Sequence, residues 1–283
     1  MGHRSFHTFE DLNNHLRLTV DHAAAIYPEP DDGRGTYRCQ NRYPENRLFV
    51  VIACHGDGGD VTHVESGAAT PLLPDSLLLL PGNETYAFRF EPSLELVAVH
   101  FRLEVPGGLD LFHDRRSIEL RPSGWRAAGE ALRQTLTAGQ TVAHLAAGRG
   151  AVLQLAAAFL PTDLSTLRDW IRSQSTYRPL LDLVDQQATG RPKVTDAARV
   201  MGMTADTLSR RFRQDTGITL KAYLDRQLYQ KATPALLYTD RSVKQIAADL
   251  GFTSAFYFSR FFKKHAGMSP TDFRQQERAY GQA

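Results

Sequence analysis

Arginine recurs at matching positions in two similar stretches near the end of the chain. The stretch DAARVMGMTADTLSRRFRQDTGITL aligns with IAADLGFTSAFYFSRFFKKHAGMSP, which pairs Arg210 with Arg260 and Arg213 with Lys263. An arginine in the middle of an exposed helix can donate two hydrogen bonds to a guanine in the major groove of DNA. The repeated arrangement therefore predicts two helices that read DNA.

Each stretch is predicted to fold as a short helix, a glycine turn and a second helix that a hydroxyl side chain caps. Thr204 caps the first of these second helices, and Thr253 or Ser254 caps the other. Leu208 and Phe212 lie four residues apart and so share the buried face of a helix. This pattern is the helix-turn-helix signature. The alignment pairs Ala198 with Ala248, Gly202 with Gly251 (with one residue of slack), Leu208 with Phe258, Phe212 with Phe262 and Gly217 with Gly267.

The side chains left on the exposed faces of the two capped helices are the candidates for DNA contacts. In a single unit, an arginine on such a face is more often an ordinary solvated residue. Arginine at equivalent positions of two units, Arg210 and Arg260, argues against that interpretation. The predicted DNA-binding residues are Asp206, Ser209, Arg210, Arg213, Ala255, Phe256, Ser259, Arg260, Lys263 and Lys264.

Charge is distributed unevenly along the 283 residues. The whole chain is close to neutral, with 33 Lys+Arg and 31 Asp+Glu. Residues 1–176 hold 16 basic and 21 acidic side chains, whereas residues 177–283 hold 17 basic and 10 acidic ones. Because basic surface attracts the phosphates of nucleic acid, residues 177–283 are predicted to be the DNA-binding domain.

Composition excludes several classes of protein. A hydrophobic content of 42% is enough to form a core in each of two domains, which excludes a disordered chain. Cys39 and Cys54 are too few for a disulfide framework or a four-cysteine metal site. The first residues lack the apolar core of a signal peptide, and the longest apolar run, 151–160, is roughly half of a membrane span. We therefore expect a cytoplasmic protein that does not contact membranes.

A long helix is predicted to join the two units, from about Leu220 to Tyr238. At about 1.5 Å per residue this helix spans roughly 30 Å, close to the ~34 Å of one DNA turn. The two capped helices can therefore enter successive major grooves on one face of the duplex. Pro234 removes one hydrogen bond from the joining helix, so a kink is expected there.

Residues 1–122 are predicted to form an antiparallel β domain that encloses a small ligand. Between Thr36 and Leu103 polar and apolar residues alternate and turn residues recur, so about six to eight short strands fit a small barrel or sandwich. Residues 123–176 have helical periodicity and predict a hairpin and linker, which either packs on the barrel or forms a dimer seam. The predicted fold class is α+β in two domains, with an antiparallel β-barrel and helical hairpin followed by an all-α domain.

The string SVKQIAADLGFTSAFYFSRFFKKHAGMSPTDFR, from Ser242 to Arg274, resembles the C-terminal signature of the AraC/XylS family of transcription regulators. The resemblance covers about Tyr177 to Arg274 and implies two helix-turn-helix units. It implies base contacts by Asp206, Ser209, Arg210, Ala255, Phe256 and Arg260, of which Asp206 and Ala255 are atypical readers. DSLLLLPGNETYAFRF and LVAVHFRL more weakly resemble the cupin-like effector domain of this family, which implies a small-molecule pocket and dimerisation through the hairpin.

The predicted function is a sequence-specific transcription regulator controlled by a small-molecule effector in the barrel. Polar side chains on otherwise apolar strands are the candidates for effector contact, and Arg38, Tyr86 and His100 are selected. The expected partners are double-stranded operator DNA, the effector and a second copy of the chain. RNA polymerase is a further candidate.

A metal-dependent cupin enzyme fused to a DNA-binding domain is the competing hypothesis. Its ligands would come from His55, His63, Glu65 and His100. No His-x-His pair accompanies them, and isolated strand histidines are more often structural than metal-bound. We therefore predict no enzyme activity, catalytic residue, metal or cofactor.

Overall fold

The computed structural model describes residues 16–26, 35–105, 109–138, 141–160, 176–184 and 193–280. These residues fall into two compact units. The first is built from Arg17–Leu103 and Asp110–Pro161, and most of the second lies within Thr162–Ala283. The predicted linker covers 161–176, and all of it except residue 176 lies outside the described residues. The domain boundaries at residues 122 and 176 stay predictions.

Two antiparallel sheets form the first unit. In the larger sheet the strand order is β1 (Arg17–Ile26), β8 (Glu95–Val105), β3 (Asn46–Ala53), β6 (Ser76–Leu80) and β10 (Glu119–Arg121), and β9 (Leu109–Asp110) pairs with β8. The order in the smaller sheet is β2 (Tyr37–Arg42), β7 (Thr85–Phe90), β4 (Gly59–His63) and β5 (Ala68–Pro71).

The predicted α+β class with antiparallel strands is confirmed, but the closed barrel is not observed among the described strands. They form two separately hydrogen-bonded sheets because the chain crosses between the sheets instead of closing one ring. One crossing is at Gly82, where a Cβ atom would lie 2.3 Å from the carbonyl oxygen of Pro44. Only glycine permits this close approach of two backbone segments.

The central strands of the larger sheet are buried on both faces. Phe49 and Val51 of β3 belong to a core cluster that includes Val61, Tyr86 and Phe88 of the smaller sheet. The residues between them on β3 point to the other face, since side chains alternate along a strand. The long apolar runs in β3 and β6 are consistent with this burial on two sides.

Two helices cover the second face of the larger sheet. They are α1 (Arg126–Thr137) and α2 (Val142–Ala157), which contact each other as the predicted hairpin. A Cβ atom at Gly129 of α1 would lie 2.7 Å from a methyl carbon of Val50, so α1 packs closely on β3. Of the two alternatives for the hairpin, packing on the sheet is observed.

Helices alone make up the described part of the second unit. They are a helical segment α3 (176–184) and then α4 (Val194–Val200), α5 (Ala205–Thr216), α6 (Leu220–Leu237), α7 (Val243–Asp249), α8 (Ala255–Ala266) and α9 (Pro270–Tyr280). In the described part of the chain, no helix is both long and apolar enough to cross a membrane.

Helix α6 is the shared core of this unit. The ring of Tyr223 lies 5.4 Å from that of Phe212 in α5, and the ring of Tyr229 lies 5.2 Å from that of Phe262 in α8. The helix continues past Pro234 as far as Leu237. One helix therefore packs against both predicted DNA-reading helices.

Candidate nucleic-acid interface

Both helix-turn-helix units close their turns in the same way. In the first unit the N–H of Met203 donates to the carbonyl oxygen of Ala198 at 3.0 Å, and in the second Phe252 donates to Ala247 at 2.9 Å. Ala198 therefore corresponds to Ala247, and its predicted pairing with Ala248 is wrong by one position. The additional residue of the second unit lies after the turn, where sequence alignment alone had no geometric landmark.

Helix α5 begins and ends at residues that satisfy its free backbone groups. The Thr204 hydroxyl accepts a hydrogen bond from the backbone N–H of Thr207, and Gly217 ends the helix with a φ of 76°. A positive φ at this position costs glycine little, and it lets the chain leave the helix sharply. Leu208 and Phe212 are buried beneath the helix, as their spacing predicts.

Helix α8 repeats this construction with larger side chains. Its N-cap is Ser254, whose hydroxyl accepts from the N–H of Tyr257, so Thr253 is the additional residue and not the cap. Phe258 and Phe262 are fully buried, at positions equivalent to those of Leu208 and Phe212 in α5. Both helices therefore present their opposite faces to solvent.

The predicted DNA contacts occupy these outer faces. Arg210, Arg213, Arg260, Lys263 and Lys264 are exposed, and within the described residues none of them forms an ion pair. Free cationic side chains on two matched helices can bind phosphates and base edges. The other predicted residues range from exposed to half-buried: Asp206, Ser209, Ala255, Phe256 and Ser259.

An exposed aromatic pair lies in the first turn of α8. Phe256 is 65% exposed and Tyr257 is 57% exposed, with ring centroids 5.9 Å apart. The guanidinium carbon of Arg260 lies 5.9 Å from the centre of the Phe256 ring, so the ring supports this arginine from one side. Sequence reasoning missed Tyr257, because helical periodicity alone left either Tyr257 or Phe258 as the buried residue.

A basic groove joins the outer face of α5 to the start of α6. It has a volume of about 580 Å³, and its lining includes Arg210, Arg213, Gln214, Thr219 and Lys221. The sharp turn at the end of α5 brings the first residues of α6 beside α5. Sequence reasoning missed Gln214 and Lys221, since their proximity to α5 depends on that turn.

Comparison with known proteins agrees with this geometry. A family model described as a helix-turn-helix domain matches residues 197–276, which include α5 and α8. The transcriptional activator RhaS of Citrobacter koseri is 24% identical over 277 residues, covering 91% of this chain and 98% of its own. RhaS of Escherichia coli O139:H28 is also 24% identical, over 280 residues. The predicted resemblance of this chain to AraC/XylS-type regulators is confirmed. The chain is a DNA-binding transcription regulator.

Solved structures of this fold include ToxT from Vibrio cholerae. The apo form of a ToxT variant has a TM-score of 0.54 at 13% identity and covers 89% of this chain and 96% of its own. Wild-type ToxT bound to an unsaturated fatty acid has a TM-score of 0.51 at 12% identity, covering 91% and 94%. At this identity the likeness concerns the fold, which in both proteins extends over the sheets and the helical unit.

The residues predicted to contact an effector lie in different surroundings. Arg38 is exposed on β2. Tyr86 is fully buried between the sheets, where its hydroxyl donates to the carbonyl oxygen of Pro81 at 3.2 Å. His100 is partly buried, with its ring centre 5.0 Å from that of Tyr43, and burial lowers its pKa well below the usual range. Tyr86 and His100 thus face the interior, and Arg38 does not.

The histidines of the metal-enzyme hypothesis are also divided. His63 lies with Glu65 and Glu84, its Nε2 atom 3.2 Å and 3.3 Å from their carboxylate oxygens. These three residues are a possible metal-binding group by distance alone. His55 is exposed, and His100 contacts Tyr43 instead, so the predicted set is not assembled around one point.

Proposed function

We propose that this regulator reads two adjacent DNA segments with α5 and α8. The observation that carries the proposal is the pair of matched helices, each capped by a hydroxyl residue and each exposing cations that form no ion pair with described residues. Arg210 and Arg260 would contact base edges. Arg213, Lys263 and Lys264 would contact phosphates, which fix the register of the protein on the duplex.

The test begins with selection of binding sites by the full chain from a random-sequence DNA pool. Affinity for the selected site is then measured by gel-shift titration for Arg210→Ala and Arg260→Ala. Loss of a bidentate base contact costs about 1–3 kcal/mol, so each variant should bind roughly ten- to a hundredfold more weakly and tolerate substitution at one base pair.

Arg178→Ala is the matched control for these variants. Arg178 is an exposed arginine of the same unit, but its side chain forms an ion pair with Asp182 on its own helical segment. Its replacement should leave DNA affinity close to that of the wild type. Equal losses in all three variants would mean that only general charge matters and would contradict base reading by α5 and α8.

We also propose that an effector controls this activity from the first unit and that the chain acts in the cytoplasm. The ToxT structure described as bound to an unsaturated fatty acid supports the proposal, because its fold extends over the same sheets. The RhaS relatives are named as transcriptional activators, which suggests activation and an encounter with RNA polymerase. A reporter gene placed behind the selected site distinguishes activation from repression.

A homodimer is proposed from the exposed apolar side chains of α2. Val142 is 84% exposed and Leu145 is 64% exposed, on the same face of the helix. Exposed apolar side chains this close together are typical of an interface. Sedimentation equilibrium should find a dimer for the wild type and a monomer for Leu145→Asp, and a wild-type monomer at every concentration would refute the proposal.

One observation supports the alternative of a metal-dependent enzyme: His63, Glu65 and Glu84 lie close enough together to bind a metal ion. Metal analysis of the purified full chain decides this alternative. A stoichiometric transition metal that is lost in His63→Ala would favour it. Absence of bound metal after incubation with Zn²⁺ or Mn²⁺ would exclude it.

A further inference from the structure

Arg47 is a buried arginine with two nitrogen atoms that donate no hydrogen bond to any residue the structure describes. Its side chain lies between the two sheets, and only 1% of the residue is exposed. The Nη1 atom donates to the Oδ1 atom of Asn41 at 2.6 Å. The Nε and Nη2 atoms are buried, and no described residue accepts a hydrogen bond from either.

The two open donors lie on one edge of the guanidinium. In a planar guanidinium the N–H bonds of Nε and Nη2 point in nearly the same direction, which matches the two oxygens of a carboxylate. We call this pair of donors, Nε and Nη2, the fork. Asn41 accepts its hydrogen bond from Nη1, and therefore does not occupy the fork. An unpaired buried charge is costly, and a bidentate anion compensates for it well.

Aromatic rings enclose the guanidinium. Its central carbon lies 5.2 Å, 4.9 Å and 5.1 Å from the ring centres of Tyr43, Tyr86 and Phe88. The rings stabilise the positive charge but supply no acceptor for the in-plane N–H groups. Further along the same face of β3 the neighbours become apolar, beginning with Phe49 in the core cluster. A ligand reaching the fork would therefore have an apolar body.

Two titratable groups near Arg47, Glu45 and His100, do not supply a negative charge that pairs with its guanidinium. Glu45 is also buried, but it forms no ion pair with Arg47, and burial raises the pKa of its carboxyl to about 7. His100 lies opposite Arg47 in the register of β3 and β8, and its lowered pKa keeps the imidazole neutral. Burial also lowers the pKa of Arg47, as expected for a buried cation that has no carboxylate partner in the described part of the chain.

We propose that the effector of this regulator is a small organic carboxylate whose carboxylate group binds Nε and Nη2 of Arg47 between the sheets. The inference rests on the proposed control by an effector and names the chemical class of that effector. No covalent step is involved. Tyr86 and His100, selected from the sequence, lie beside the proposed site, and Arg47 itself was absent from the predicted set.

The test uses benzoate and octanoate, each beside its uncharged amide, with the full chain. Thermal-shift and calorimetric titrations should show that at least one acid binds and stabilises the wild type, whereas benzamide and octanamide do not. Arg47→Met should weaken binding of that acid roughly ten- to a hundredfold, since it removes two charge-assisted hydrogen bonds. Arg17→Met, which removes an exposed strand arginine, should bind like the wild type.

Arg47→Lys is the second variant in case the Met variant does not fold. It keeps the positive charge but loses the fork, so the acid should again bind more weakly. Equal binding of acid and amide, an acid affinity unchanged in both variants, or no binding of either acid would each overturn the proposal.

DNA titrations with and without the acid separate this inference from the proposed control of DNA binding. Acid binding that depends on Arg47 without any change in DNA affinity would keep the inference and refute that control. A change in DNA affinity produced by the amides alone would support control by an effector and refute the carboxylate inference.

Discussion

Replacement of Glu45 by Gln should change how the stability of the first unit depends on pH. Glu45 is 3% exposed, and burial raises the pKa of its carboxyl from 4.5 to about 7, with Asp21 adding to the rise and Arg102 opposing it. A carboxyl with a higher pKa in the folded state keeps its proton longer when folded. Its contribution to stability is therefore complete below pH 4.5 and is lost as the pH rises through about 7.

The size of the effect follows from the difference between the two pKa values. Each pKa unit corresponds to about 1.4 kcal/mol. Because Glu45 is already partly ionised in the unfolded chain at pH 5, the loss between pH 5 and pH 8 is roughly 2.5 kcal/mol. Glu45→Gln has a similar shape and cannot ionise, so the variant should lack this part of the pH dependence.

The assay is urea unfolding of the full chain at pH 5 and pH 8, followed by far-ultraviolet circular dichroism and by tryptophan fluorescence. The unfolding free energy of the variant relative to the wild type should rise by roughly 2.5 kcal/mol from the lower to the higher pH. Asp114→Asn changes a largely exposed carboxyl and is the control. A difference between Glu45→Gln and the wild type that is the same at both pH values would refute the reasoning.

Other predictions concern packing, caps and charge. Phe262→Ala should cost about 3–5 kcal/mol in chemical denaturation and abolish DNA binding, because the ring is fully buried against α6. Ser254→Ala should cost about 1 kcal/mol and Ser254→Asp should restore the cap; equal stability of all three proteins would contradict that role. Gly59→Ala should cost more than about 1 kcal/mol, since φ is +97° and the new Cβ would lie 1.9 Å from a carbonyl oxygen, whereas the unobstructed Gly35→Ala should not. Lys264→Ala should lower the slope of log affinity against log salt by about 1, and an unchanged slope would exclude a phosphate contact.

Local patterns in the sequence predicted the second unit well. The spacing of Leu208 and Phe212, the hydroxyl cap before them and the glycine after them each depend on residues within one or two helical turns. The whole arrangement recurs in α8, and this recurrence made the prediction specific. Even there, the additional residue Thr253 was misplaced, because the hydrogen bond that closes a turn is a property of the folded backbone.

Long-range pairing limited what could be predicted in the first unit. Strand β1 was not predicted, since the alanines of Arg17–Ile26 carry little strand preference and the strand forms by pairing with β8. The predicted barrel is two sheets, because strand partners are not neighbours in the sequence. Alternation along β2 and β7 correctly indicated one apolar face on each, but it did not indicate which strands would meet.

By itself the sequence determined the family resemblance, the two matched capped helices and the class of fold, since capping, periodicity and a repeated motif are local. Only the tertiary structure decided which polar side chains meet in the interior. Arg47, Tyr86 and Asn41 come from three strands, and their contact makes a buried cation with two donor atoms that no described residue pairs with. The cost of leaving such a charge unpaired depends on what surrounds it, and packing alone determines those surroundings.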